Sequence, residues 1–231
     1  SRAALFLKEE YVTTSPEKAF VIEELCDGCG ECVKICPVNA ISMQAGKAKI
    51  DPFICIGCGA CIPACPREAI DFKNATRKQI FATLRGVLAD KAPDEVRIVA
   101  FVDKEVGYTG MDFLGLDRTN YPEEIRIVAV PSTAIISLKH LLHAFAYGAD
   151  GVMLIEGQEE IDKEFGMRRV NELARRLGEY GVERMRVRYS YVPLPVYKKA
   201  AELFTMFTER IKKFGPFPLE KRNKIKEKLG I

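Results

Sequence analysis

Four short runs dense in valine and isoleucine punctuate the last two thirds of the chain: EVRIVAFVD at 95–103, IRIVAVP at 125–131, GVMLIEG at 151–157 and MRVRYSYV at 185–192. Each has strand length and is bounded by turn residues, the pattern of a buried strand. Between and after them lie helical stretches at 137–149, 163–181 and 196–215, with Gly148 near the end of the first. Strands alternating with helices of this length predict a parallel sheet flanked by helices. Residues 73–94 predict a helix and loop leading into this region, and 216–231 a short basic amphipathic tail.

The first 72 residues follow a different rule. CDGCGECVKICPVNAI at 26–41 recurs 29 residues later as CIGCGACIPACPREAI, and the two copies hold all 8 cysteines. Each reads C-x-x-C-x-x-C-x-x-x-C-P. Three thiolates two residues apart on a tight loop can take three corners of a cubane, and Gly28, Gly30, Gly57 and Gly59 free the loop to aim N–H groups at sulfur. Disulfides two residues apart are strained, and zinc sites pair two C-x-x-C arms across a longer gap. Strand-like ISMQ and IDF follow the two runs, and Ile35, Ile41, Ile50, Ile54, Ile56, Ile62 and Ile70 are expected to form an apolar shell around the sulfurs.

The doubled run resembles that of bacterial two-cluster ferredoxins. That resemblance implies two 4Fe-4S clusters with crossed ligation: Cys26, Cys29, Cys32 and Cys65 on one, Cys55, Cys58, Cys61 and Cys36 on the other. Such a module moves single electrons and performs no bond chemistry of its own.

Composition removes several other classes. With 231 residues, 48% of them hydrophobic, the chain can bury an ordinary core. No apolar run reaches the roughly 18 residues of a membrane span, so a soluble, cytoplasmic protein is expected. Net charge is +3, but residues 1–72 carry 7 basic and 10 acidic side chains while 208–231 carry 8 and 3. This uneven spread predicts docking faces and no nucleic-acid binding. In the second region no phosphate-binding glycine motif appears. STAIIS at 132–137 is expected to cap a helix through Ser132 or Thr133, with a flavin phosphate as the alternative use of those hydroxyls. His140 and His143, at i and i+3, have metal spacing, but no carboxylate or cysteine lies near them in sequence; burial without a ligand role is expected. Arginines 168, 169, 175, 176, 184, 186 and 188, interleaved with glutamates, predict a solvated face.

Longer stretches carry a further resemblance. Residues 1–72, opening on SRAALFLKEE, resemble the C-terminal ferredoxin region of the A-type subunits of heterodisulfide reductase. YPEEIRIVAVP, HAFAYGADGVMLIEG and RRVNELARRLGEYGVERMRV make 95–215 similar to the delta subunit of methyl-viologen-reducing hydrogenase. The implied fold is an α+β ferredoxin-like two-cluster domain (1–72), a helical linker (73–94), an α/β flavodoxin-like domain with a parallel sheet (95–215) and the basic tail (216–231). The delta family's own 2Fe-2S cysteines would fall at Asp103 and Val106, in the 131–133 window and at Gln158. None of these is cysteine, so no 2Fe-2S cluster is expected and the domain is assigned a docking role through Tyr108, Met111, Phe113 and Leu114 or the tail. Fusions of this kind occur in the B-type subunits of the quinone-interacting membrane-bound oxidoreductase, where a flavin domain comes first. By that resemblance the chain, which begins at Ser1, is a C-terminal fragment. FAD would sit in a preceding domain or a partner, redox subunits of a heterodisulfide reductase-like or quinone-interacting complex would be the partners, and membrane contact would come only through them.

Overall fold

A computed structural model describes residues 14–92, 94–157 and 163–231; Gln158 and residues 1–13 lie outside it. The first region is built from strand β1 (Ala19–Val21), helix α1 (Glu31–Ile35), the hairpin β2 (Ile41–Gln44) and β3 (Lys47–Ile50), helix α2 (Cys61–Ala64) and strand β4 (Ile70–Phe72). β1 pairs antiparallel with β4 and β2 with β3. The β2–β3 turn has positive φ at both Ala45 and Gly46, as two-residue hairpin turns with the native twist require. The short helices α1 and α2 each stop one residue before the fourth cysteine of a run, and the proline after it prevents their resumption.

Helix α3 (Arg77–Val87) follows. A capping box starts it: the Thr76 hydroxyl accepts from the Gln79 amide, and the Gln79 side chain accepts from the Thr76 amide. Arg77 ties the helix back to the ferredoxin region by donating to the Glu68 and Ile70 carbonyls, at 2.9 and 2.6 Å.

Strand β5 (Ile98–Asp103), helix α4 (Gly107–Leu116), strand β6 (Ile125–Val130), helix α5 (Leu138–Tyr147), strand β7 (Gly151–Glu156), helix α6 (Lys163–Gly178), strand β8 (Val187–Tyr191), helix α7 (Lys198–Phe214) and helix α8 (Leu219–Leu229) complete the chain. The four strands form one parallel sheet in the order β6-β5-β7-β8. Every residue of β5 and β7 is buried, as expected of central strands covered on both faces.

Alternation along β5 sorts the core into two layers. Ile98, Ala100 and Val102 pack with Met111 and Leu114 of α4 and with Phe204, Phe207 and Ile211 of α7. Val99 and Phe101 face the other way, toward Leu141 and Phe145 of α5 and Leu173 and Leu177 of α6. This second layer does not end at the sheet. It continues through Ile80 and Leu84 of α3 into Ile62, Ile70 and Phe72, so the two regions share one core.

Three expectations change here. Tyr108, Met111, Phe113 and Leu114, expected to be docking residues, lie on α4, and Met111 and Leu114 are core side chains. Only Tyr108 and Phe113 of that set stay exposed, each at 39%. The basic tail contains α8, which packs on α5 with Ile225 buried. Of the seven arginines, Arg186 is buried and donates to the Asp150 and Gly215 carbonyls, because the α6–β8 connection turns it inward.

Asp150, fully buried before β7, anchors the C-terminal segment. Its carboxylate accepts from Lys91 at 2.9 Å, from the Phe217 amide at 2.7 Å, from the Arg97 amide at 2.8 Å and from Arg222 at 3.2 Å. Replacing it leaves two sheltered cations facing each other. Asp150→Asn is therefore expected to destabilise the chain by about 3–5 kcal/mol, seen as a lower denaturant midpoint.

Candidate metal centre

The two cysteine runs fold as near-copies. Gly28 and Gly57 sit at φ 80° and 76°, Gly30 and Gly59 at 75° and 69°, and Asn39 and Glu68 both at 53°. Behind each run the backbone donates to the fourth sulfur: the Ala40 amide to Cys36 Sγ at 3.2 Å, the Ala69 amide to Cys65 Sγ at 3.3 Å. The Ala48 amide reaches Cys26 Sγ at 3.5 Å. One ammonium serves the first cysteine of each run, with Lys47 on the Cys26 carbonyl and Lys18 on the Cys55 carbonyl.

All eight thiols are free. Burial pushes the Cys61 thiol up to about 12, helped by Cys58 and Cys55. Cys32 is pushed up by burial and then by the thiol of Cys65, a member of the other run. Cys58 is raised by burial and by Cys55 and Cys36, again across the runs. Thiols kept from ionising by burial, and further by neighbouring sulfurs, need a positive charge among them to become thiolates, which iron supplies when bound. Eight free thiols, three of them two residues apart in each run, are the donor set that fits a polynuclear cluster, whose thiolates bind separate irons.

The isoleucine shell is partial. Ile41, Ile62 and Ile70 are buried and Ile35 and Ile50 half-buried, whereas Ile54 and Ile56 stand 48% and 49% exposed beside Phe53. These residues flank Cys55, in the stretch between the hairpin and α2.

Two carboxylates organise the other end of the sheet, and sequence reasoning missed both roles. Asp103 Oδ1 accepts from the Val106 amide at 2.8 Å, and Oδ2 from the amides of Gly107 and Gly157 at 2.9 and 2.6 Å. A side chain at Gly107 would overlap that carboxylate, which accounts for the glycine. Glu156 Oε2 accepts from the Thr133 amide and hydroxyl at 3.0 and 2.8 Å and from the Ser132 hydroxyl at 3.3 Å. Ser132 caps the 3-10 turn Thr133–Ile135 through the Ala134 amide, as the capping expectation required. Arg169, expected on a solvated face, turns its guanidinium inward to the Thr133 and Ile136 carbonyls; burial lowers it to about 10, against the pull of Glu156.

The Thr133–Ile135 turn meets the second run. Ala134 packs on Ala60, and a Cβ built on Gly59 would land on Ile135 Cγ2. The histidines lie elsewhere, between α3 and α5. His143 stacks on Phe81 at 3.7 Å, and His140 accepts from the Ser137 amide at Nδ1, leaving a buried, unpartnered Nε2. Neither is brought to a cysteine or a carboxylate cluster.

A doubled four-cysteine motif folded against a four-stranded parallel sheet defines an iron–sulfur protein of composite build. Residues 25–69 match the model of the 4Fe-4S dicluster domain, and residues 98–215 match that of the methyl-viologen-reducing hydrogenase, delta subunit. The chain belongs to that delta-subunit family. It is 32% identical over 210 residues to the A-type subunit of the ferredoxin:CoB-CoM heterodisulfide reductase of Methanosarcina mazei, covering 89% of this chain and 26% of that protein. The corresponding protein of Methanosarcina acetivorans is 30% identical over 198 residues, 83% of this chain and 24% of the relative. The D-type iron-sulfur subunit of the vhu F420-non-reducing hydrogenase of Methanopyrus kandleri is 34% identical over 128 residues, 53% of this chain and 97% of its own length. The chain thus spans about a quarter of the reductase subunits and nearly all of the hydrogenase protein. Among the described residues no helix is long and apolar enough to cross a membrane.

Two outcomes test this geometry. Gly30→Ala, with open space around its Cβ, should cost only the left-handed strain of roughly 1–2 kcal/mol. Gly59→Ala adds the collision with Ile135 and should cost clearly more, read from paired denaturation curves.

His140 is held neutral by burial, with Arg77 nearby, its pKa falling from 6.5 to about 3. Above 6.5 it is neutral whether folded or unfolded. As the pH falls toward 3, only the unfolded chain takes up this proton, so stability should drop by up to about 1.4 kcal/mol per pH unit. In His140→Asn that part of the slope should vanish.

Proposed function

We propose that the chain is an electron-transfer module of a larger oxidoreductase assembly, carrying two 4Fe-4S clusters. Cys26, Cys29, Cys32 and Cys65 hold one, and Cys55, Cys58, Cys61 and Cys36 the other. The observation that carries this reading is the approach of the runs to each other: α1 packs on α2, and Cys32 and Cys61 lie in one buried cluster against which Cys26, Cys36 and Cys65 pack. Bound at these thiolates, the clusters supply one-electron chemistry. The chain contributes the rest: amides aimed at sulfur, the Lys18 and Lys47 ammonium groups, and an apolar backing, all of which set potential.

The printed names of the relatives, a ferredoxin-dependent heterodisulfide reductase and a hydrogenase iron-sulfur protein, support a relay to a partner redox protein; a flavin site at the other end of the relay is part of this proposal. On this reading the flavin belongs to another domain or chain. Residues 95–215, of flavodoxin-like strand order, then serve to dock and brace. Open α/β sheets bind ligands beyond the carboxyl ends of their strands. Here the amides of Val106, Gly107 and Gly157 are taken by Asp103, and the hydroxyls and amide at 132–133 by Glu156. The groups that would receive a flavin phosphate are already filled by internal carboxylates, which weighs against flavin binding in this domain.

Anaerobically prepared protein should contain about eight irons and eight sulfides per chain, as two cubanes require. Cys36→Ser should damage the cluster on Cys55, Cys58 and Cys61 and spare the one on Cys26, Cys29 and Cys32. Saturation at two zinc ions without a reduced-cluster EPR signal would refute the reading, and loss confined to the first run would refute the crossed ligation.

A further inference from the structure

The 29-residue repeat supplies an internal control, because each position of the first run has a counterpart in the second. Cys29 is exposed, whereas Cys58 is half-buried. Gly30 has nothing near the place of a Cβ, and its counterpart Gly59 abuts Ile135. Glu31 is exposed and pairs with Lys34; its counterpart Ala60 is buried against Ala134. A glutamate at 60 would meet the turn, so alanine is the residue that lets it approach. The turn is itself clamped. Glu156 holds its start through Ser132 and Thr133, and Arg169 holds its carbonyls at Thr133 and Ile136.

Building on the cluster assignment above, we propose that Ile135, carried on this clamped turn, is a positioning residue for the second run: it covers the iron–sulfur group there and makes the two groups inequivalent, the covered one having the lower potential. The physical reason is solvation. Each reduction adds one negative charge to a group already ringed by thiolates, and water or solvent-facing dipoles stabilise that charge. Against Ile135 and Ala134 the second group loses part of that stabilisation. The first group, open at Cys29 and Gly30, keeps it. Ile56 and Gly57 border a cleft of about 470 Å³ at Cys58, so the cover acts on the Gly59, Ala60 and Cys61 side.

EPR-monitored redox titration of the full chain, with both clusters loaded, tests this. The wild type should titrate in two one-electron steps of distinct potential. In Ile135→Val, and further in Ile135→Ala, the lower step should move up toward the higher one while the higher step stays in place. A merely structural role for Ile135 would lower stability without a graded, one-sided shift. The proposal is overturned if the wild-type steps coincide, if Ile135→Val and Ile135→Ala move neither step, or if they move only the higher. Should Ile135→Ala fail to fold, the wild-type separation and Ile135→Val still decide. A chain that takes up no iron and sulfide would instead refute the cluster assignment, a result distinct from any of these.

Discussion

Negative charge taken out of water must be met by donors or cations, and both halves of this molecule are organised around that demand. In the cysteine runs, eight sulfurs are gathered, burial opposes the ionisation of Cys32, Cys58 and Cys61, and backbone amides at Ala40, Ala48 and Ala69 turn toward Cys36, Cys26 and Cys65. In the parallel-sheet region three buried carboxylates do the same work with different donors. Asp103 gathers amides from two loops, Glu156 gathers a turn, and Asp150 gathers a lysine, an arginine and two amides. Each is placed at the end of a strand or just before one, where chain segments would otherwise diverge. Removing the acid would leave the donors buried and unpaired, which is why such nodes are costly to break.

The parts legible in the sequence were those governed by local pattern. Runs rich in β-branched residues located β5 to β8 to within a few residues, most sharply for the central β5 and β7, whose burial on both faces leaves little freedom of composition. Helix α4 escaped because GYTGMDFLGL holds three glycines and has low intrinsic helicity; it forms where Asp103 caps its first amides and where Met111 and Leu114 find the sheet. The packing of α8 was hidden for a similar reason. Its sequence is overwhelmingly charged, and the anchors that fix it, Phe217 and Ile225, are only two apolar residues whose partners lie far away in the chain. The inward turn of Arg169 and Arg186 was also invisible: an arginine among glutamates reads as surface until the carbonyls it serves are located.

A duplicated motif begins with two equivalent halves, and only its surroundings can distinguish them. Here Gly59 and Ala60 of the second half meet a domain of different fold, while their counterparts Gly30 and Glu31 stand open. The exchange of an acidic residue for alanine at equivalent positions, Glu31 and Ala60, is the mark of that contact in the sequence. The core runs without a break from Phe101 through Leu84 to Ile70, so the contact belongs to one continuous core rather than to a surface between two closed ones.

The connection between the two regions also limits how charge can travel. Carriers that shuttle on a hinged arm depend on slack between the arm and its base. The stretch that joins these regions is a capped helix, bolted at its start to Glu68 and Ile70 through Arg77 and stacked along α5 through Phe81. Such a strut ties the cysteine runs to the sheet region, so whatever exchanges electrons with them meets the two regions as one joined surface.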